Sequence, residues 1–410
     1  MGILDKLPFQ IMGWYGPNYG KFTPKSIGSL AEAGFTATFS LLKREEVMHS
    51  LDLAQDAGMR LVIGLPDLPL WHTPNVVDEA WLQRFREFML AVRHHPALLG
   101  YFIVDEPYGP VFDDIGRAYK VWKETDPDHL FYVNQFTVGQ TYWVACSYED
   151  LWERLWAAAP LEFVSADGYP VQPVSEADWE AHRGEPNYYA RQKARLMPHY
   201  FEMLDLQRHF AARWKAKLWA FTMARGEYSP ATAEGEMRFQ LMTGLAYGAK
   251  GLQYFAVEAG NMLIQDDGSP TENLRVAKAL NTVIRTWAPT LMKLRSIGVY
   301  HHPANLFATR PLDQFMLGAQ TDLCARGDAI VVGHFLDEQR QEHALICNRN
   351  PFEPAVFRFH FGTDEAPEEC SPVDARWSRI GFKEGRWAEL ALQPGEAKLF
   401  RFTRPIQATQ

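Results

Sequence analysis

Residues 98–107 read Leu98-Leu99-Gly100-Tyr101-Phe102-Ile103-Val104-Asp105-Glu106-Pro107. An apolar run delivers two adjacent carboxylates and then stops at a proline. In a (β/α)8 barrel the chemical groups sit at the C-terminal ends of the strands, where the loops leading to the helices meet. The stretch therefore predicts the mouth of a parallel barrel, with Glu106 as an acid placed for chemistry.

The flanking sequence supplies the remaining strands by alternating strand and helix patterns with short breaks, the mark of βαβ units. Towards the N-terminus, strands are predicted over Phe9–Trp14, Thr36–Leu42 and Arg60–Leu65. Helices over Pro24–Ala33, Glu45–Ala57 and Ala80–Val92 separate them, ending at Gly34, Gly58 and His94-His95-Pro96. Towards the C-terminus, strands are predicted over Leu130–Gln135, Leu161–Asp167, Lys217–Met223 and Gly251–Glu258. Helices are predicted over Ile115–Glu124, Glu149–Ala158, Tyr188–Trp214, Ala233–Tyr247 and Glu272–Lys293. Eight strand–helix units make residues 1–297 an α/β (β/α)8 barrel. Beyond Arg295 the runs shorten and alternate (Ala329–Val332, His343–Cys347, Val356–Phe361, Ala397–Phe402), with a turn at Gln393-Pro394-Gly395. This predicts a small antiparallel β-sandwich over residues 298–410, with Pro405–Gln410 as a frayed tail.

At 410 residues the chain exceeds the size of a single core. Its 13 Trp, 16 Tyr and 26 Phe are first of all core material, and rings near loops also suit stacking on sugar faces. The net charge of −9, with acids and bases interspersed, argues against nucleic acid or an anionic membrane as partner. Cys146, Cys324, Cys347 and Cys370 are widely spaced, so metal and redox readings lack support, and Cys347 reads as a core residue. The His94-His95 and His301-His302 pairs lack metal-site spacing, and no glycine motif cradles a phosphate, so neither metal nor nucleotide cofactor is expected. No run approaches the ~20 apolar residues of a membrane span. The first residues lack a basic stretch followed by an apolar one, so the chain as it stands reads as cytoplasmic, or as periplasmic or secreted if a leader was removed.

Strand four, Gly100 to Pro107, resembles the acid/base strand of the clan A glycoside hydrolases, which ends in Asn-Glu and often continues with Pro. Asp167-Gly168-Tyr169-Pro170, the approach Gly248-Ala249-Lys250-Gly251-Leu252-Gln253-Tyr254-Phe255, and a C-terminal sandwich closing on Gln393-Pro394-Gly395-Glu396-Ala397 resemble the same group. The resemblance implies a barrel glycosidase acting on a carbohydrate without a cofactor. Retaining members carry a Glu at the end of strand seven, where this chain has Leu218-Trp219-Ala220-Phe221-Thr222-Met223-Ala224 and no acid.

The residues support the same chemistry on their own terms. Glycoside cleavage needs a protonated carboxyl beside the leaving oxygen and a second carboxylate as nucleophile or base. Asp105 beside Glu106 disfavours ionising both, which raises one pKa. The bland alternative is that Glu106 pairs with an Arg or caps the next helix. Glu227 and Glu258 are the candidates for the second carboxylate, Glu227 if its loop folds inward and Glu258 because it ends a strand. Asp167 reads as a partner for a sugar hydroxyl, although Asp105 with Asp167 also matches barrels that use aspartates on strands four and six. Trp14, Tyr15, Asp105, Asn134, Gln135 and Tyr169 line the same rim as candidate substrate contacts. Trp71, Tyr142, Trp143 and Tyr228 are candidate platforms on long loops. Two other classes stay open, a non-catalytic carbohydrate-binding barrel and a barrel lyase or metal-dependent hydrolase.

Overall fold

The structure is a computed structural model and describes residues 2–68, 74–138, 146–189, 191–312, 320–322, 329–360, 366–382 and 387–402. Eight parallel strands form the barrel: β1 (Gln10–Trp14), β2 (Ala37–Leu41), β3 (Arg60–Gly64), β4 (Leu98–Asp105), β5 (Leu130–Asn134), β6 (Phe163–Ala166), β7 (Lys217–Met223) and β8 (Gly251–Phe255). Their order is β5-β4-β3-β2-β1-β8-β7-β6. A parallel bridge between Gln135 and Ala166 closes the ring, with the Gln135 N–H on Ser165 O at 3.0 Å and the Asp167 N–H on Gln135 O at 2.9 Å.

Local chemistry fixes the connecting helices. Thr23 caps the helix Pro24–Glu32 through a reciprocal bond with Ser26, and Pro24 sits in its first turn. Asp78 accepts the Trp81 N–H at 2.7 Å to cap Glu79–Val92. Gly34 and Gly58, at φ +82° and +69°, end two helices in the left-handed conformation that suits glycine. Tyr188–Trp214 is not one helix as expected. Tyr188–Tyr189 and Ala194–Leu196 are strands of a small antiparallel sheet with Val171–Pro173, and the helix runs from Tyr200 to Trp214.

Inward-facing side chains fill the barrel with rings. Phe39 stacks on Phe102 at 4.1 Å between centroids, and Trp14 packs 4.9 Å from Phe39, 5.8 Å from Phe221 and 5.6 Å from Phe255. Tyr132, Phe163 and Trp219 continue the layer at 5.1 Å steps. The interior is thus packed solid beneath the mouth, as barrel interiors are.

The chain divides into two compact units whose borders differ from the expected 1–297 and 298–410. The first holds residues 1–168, 209–224 and 251–278, and with them all eight barrel strands. The second holds residues 169–208, 225–250 and 279–410. In it, Arg295–His302, Ile330–Leu336, Glu342–Asn348, Glu368–Cys370, Trp377–Arg379 and Ala397–Arg401 form one antiparallel sheet. Gln320–Asp322, Ala355–His360 and Trp387–Leu392 form another. Ile330, Val332, Ala344, Ile346 and Phe400 from the first sheet share a core with Phe357, Leu390 and Leu392 from the second, which makes a sandwich. The helix Ala233–Ala246 packs on the strands Ile330–Leu336 and Glu342–Asn348, and Cys347 is buried as expected. Cys324, Trp71, Tyr142, Trp143 and the tail Pro405–Gln410 lie outside the described residues.

Candidate active site

Strand β4 breaks the simple alternation of sides. Phe102 pairs with Tyr132, but the register then shifts, so that Val104 faces Val133 and Asp105 faces Asn134. The extra residue, Ile103, is a β-bulge, and a bulge re-aims every side chain that follows it. Strict alternation from the inward Phe102 would send Val104 and Glu106 inward. The bulge gives the inward position to Asp105 instead.

Asp105 meets a buried polar chain there. Asn134, fully buried, donates from Nδ2 to Asp105 Oδ1 at 3.0 Å and to Asp167 Oδ1 at 2.8 Å. Its Oδ1 accepts from Ser165 Oγ at 2.8 Å, and Ser165 Oγ accepts from Gln253 Nε2 at 2.8 Å. Gln253 Oε1 accepts a short bond from the Tyr132 hydroxyl, which accepts from Trp14 Nε1 at 3.0 Å. Five barrel strands thus contribute to one network, and its polar outlets are two carboxylates at the mouth. A planar amide points its two hydrogens about 120° apart, which sets the two acceptor oxygens roughly 5 Å from each other. That is near the ~5–5.5 Å between the carboxyls of a retaining glycosidase.

Burial pushes the Asp105 carboxyl up to about 7, against the lowering effect of the Asn134 bond and with help from the Glu106 charge. Glu106 follows in a left-handed backbone conformation, φ +49°, with its N–H on Asn134 O at 2.8 Å. Such strain in a non-glycine residue clusters at functional sites. The Glu106 side chain is half-buried, and burial raises its carboxyl above the ordinary range. Among the described residues the Glu106 side chain makes no hydrogen bond or ion pair. Tyr108 and Val111, not Glu106, stand at the N-cap positions of the following helical turns. Neither part of the bland alternative is met.

The other candidates divide. Glu258 accepts the Asn18 N–H at 2.8 Å and pairs with Lys21 at 3.2 Å, so its carboxylate ties down the loop after β1. Gly16 lets that loop approach, since a Cβ there would sit 2.8 Å from Glu258 Cβ. Glu227 lies in the second compact unit and pairs with Arg225 at 3.2 Å. Its N–H and that of Tyr228 donate to Glu236, a fully buried carboxylate that also accepts from Thr232. Trp14 is a core ring with 3 % exposure, not a platform. Tyr15 is half-buried beside it at 5.9 Å. Gln135 is fully buried, with Nε2 on Pro107 O at 3.1 Å and Oε1 on the Phe136 N–H. Asn134 and Gln135 therefore position the acids and the turn after them, and neither offers an amide to solvent. Tyr169 is half-buried in the second unit, where Tyr228 packs 5.6 Å from Phe352.

Sequence reading missed Ser165, Gln253 and Tyr132. Their signal was a polar group at an inward position of an otherwise apolar strand. Among the described residues, no cluster of His, Cys, Asp and Glu is arranged to hold a metal ion, and no helix is long and apolar enough to cross a membrane.

No family model matches this sequence, and no curated protein matches it. Solved structures do match. The likeness is to glycoside hydrolases, in fold. A family 5 glycoside hydrolase from Bacteroides vulgatus superposes with a TM-score of 0.56 at 11 % identity, covering 96 % of this chain and 89 % of that one. A family 39 glycoside hydrolase from Bacteroides cellulosilyticus gives 0.55 at 11 %, covering 98 % and 82 %. A protein from Bacteroides fragilis described as a putative alpha-galactosidase gives 0.51 at 10 %, covering 97 % and 79 %.

Proposed function

We propose that this protein hydrolyses a glycosidic bond of a carbohydrate, with Glu106 as proton donor and Asp167 as the second carboxylate. The observation that carries the reading is the acid cluster at the barrel mouth. There one buried amide, Asn134, holds Asp105 and Asp167, while the residue after Asp105, Glu106, keeps a half-buried carboxyl with no partner among the described residues. A carboxyl raised by burial retains its proton close to neutral pH and can pass it to a departing oxygen. Asp167 then attacks the anomeric carbon or activates a water. The likeness in fold to glycoside hydrolases supports the same class of reaction.

The roughly 5 Å spacing across Asn134 favours a second assignment within that class, in which Asp105 is the donor to the same partner. A panel of 4-nitrophenyl glycosides in both anomeric forms finds the sugar and anomer, and the methyl glycoside of that sugar tests both. Under the first assignment Glu106→Gln and Asp167→Asn each lower kcat at least about a thousandfold with a methyl or natural leaving group. Under the second, Asp105→Asn does so and Glu106→Gln does not. Glu227→Gln and Glu258→Gln complete the set, and a thousandfold loss in either moves the second carboxylate to that residue. Sugar binding without turnover of any glycoside would make the chain a binding barrel and end the proposal.

A further inference from the structure

Between the ends of β2, β3 and β4 lies a cavity of about 150 Å³. Leu41, Leu65, Leu68 and Phe102 form much of its wall, and among the described residues only Tyr19 and Asp105 border it with polar side chains. A sugar ring carries a hydroxyl on nearly every carbon, and each one buried against alkyl walls loses its hydrogen bonds. The cavity therefore does not suit a sugar ring. It does suit a compact apolar group, since a cavity of about 150 Å³ lined by Leu, Ile and Phe in another protein stays dry and takes up benzene.

Its place in the site says which part of a substrate it faces. Asp105 stands in the wall, and Asp105 with its neighbour Glu106 carries the raised carboxyls of the mouth. The proton donor of a glycosidase stands on the leaving-group side of the scissile bond. We infer that the cavity receives an apolar leaving group of phenyl or branched-alkyl size, so that the substrates are glycosides of hydrophobic alcohols. The inference rests on the hydrolase reading above, and it names the substrate class of that same site. Leu41, at the end of β2, is half-buried and lines the cavity.

Benzyl and methyl glycosides of one sugar and anomer have leaving alcohols of similar acidity, so their difference in KM reports the cavity rather than the chemistry. The wild type is expected to show a KM about tenfold or more lower for the benzyl compound. Leu41→Phe fills the space and is expected to erase that preference by raising KM for the benzyl glycoside to the value for the methyl compound. Leu68→Phe, at another lining position, does the same and serves if the first variant folds poorly. Benzyl alcohol alone, titrated by NMR, is expected to bind the wild type and not the filled variants. Equal KM values for the two glycosides, or benzyl alcohol binding that survives both substitutions, overturn the inference even if glycosides are cleaved. Benzyl alcohol binding lost on filling, with no glycoside turned over, keeps the cavity as an apolar-group site and sinks the hydrolase reading instead.

Discussion

Replacing Asp105 by Asn removes one dissociable proton from the barrel mouth and keeps the shape of the side chain. The Asn134 Nδ2 bond to position 105 survives, because an amide oxygen accepts as the carboxylate does. What changes is the response to pH. The Asp105 carboxyl moves from its ordinary 3.8 to about 7 in the folded chain, mainly through burial. Between those values the folded protein binds the proton more tightly than the unfolded chain. Stability therefore falls as pH rises from about 4, and the loss is complete above about 7. Each tenfold change in proton affinity is worth about 1.4 kcal/mol, so charging Asp105 lowers stability by roughly 2 to 4 kcal/mol at pH 8. Burial also raises Glu106 and Glu236 and lowers His301 and His343. Those groups shape the absolute profile but are common to both proteins. Urea unfolding of wild type and Asp105→Asn at pH 4.5 and pH 8 isolates the effect. The variant is expected to gain roughly 2 to 4 kcal/mol on the wild type between the two conditions. A difference that stays the same within about 0.5 kcal/mol refutes the buried, protonated Asp105 described above.

Three further outcomes are expected. Asn134→Ala removes the amide shared by Asp105, Asp167 and Ser165, so a loss of roughly 2 to 4 kcal/mol in stability should accompany a fall in kcat, measured by denaturation and turnover. Glu258→Gln loses the charge facing Lys21 but keeps an acceptor for the Asn18 N–H, so stability should drop by about 1 kcal/mol or less and kcat by no more than a few fold. A much larger kcat loss in a folded variant would give Glu258 a role in chemistry. Gly333→Ala sets a methyl against the Ala246 carbonyl where the helix Ala233–Ala246 meets the sheet, and calorimetry should show about 2 kcal/mol or more of destabilisation.

Barrel strands and helix ends were readable because their causes are local. A run such as Lys217–Met223 matches its strand residue for residue, and Gly34 and Gly58 end helices wherever the rest of the chain lies. The expected helix over Tyr188–Trp214 failed at its first half for a different reason. Tyr188–Tyr189 and Ala194–Leu196 gain strand pairing from each other and from Val171–Pro173, and such partners override a helical pattern. Glu236 is another case. Its sequence position is an ordinary first-turn acid of a helix, yet the fold buries it to hold the Glu227 loop by its N–H groups.

Hydrophobic period and turn residues act over short stretches of chain, and they are enough to dictate the barrel, the sandwich and the strand end that carries acids. The inward acid was decided by tertiary structure. A single extra residue at Ile103 reverses the sides of strand β4 after Phe102, and a bulge depends on pairing with the neighbouring strands. The network from Trp14 through Tyr132, Gln253 and Ser165 to Asn134 likewise needs four strands at once, and the Asn134 bond to Asp105 adds a fifth. Its members lie far apart in the chain, and only closure of the ring brings their polar atoms within bonding distance and holds Asp105 and Asp167 on one amide.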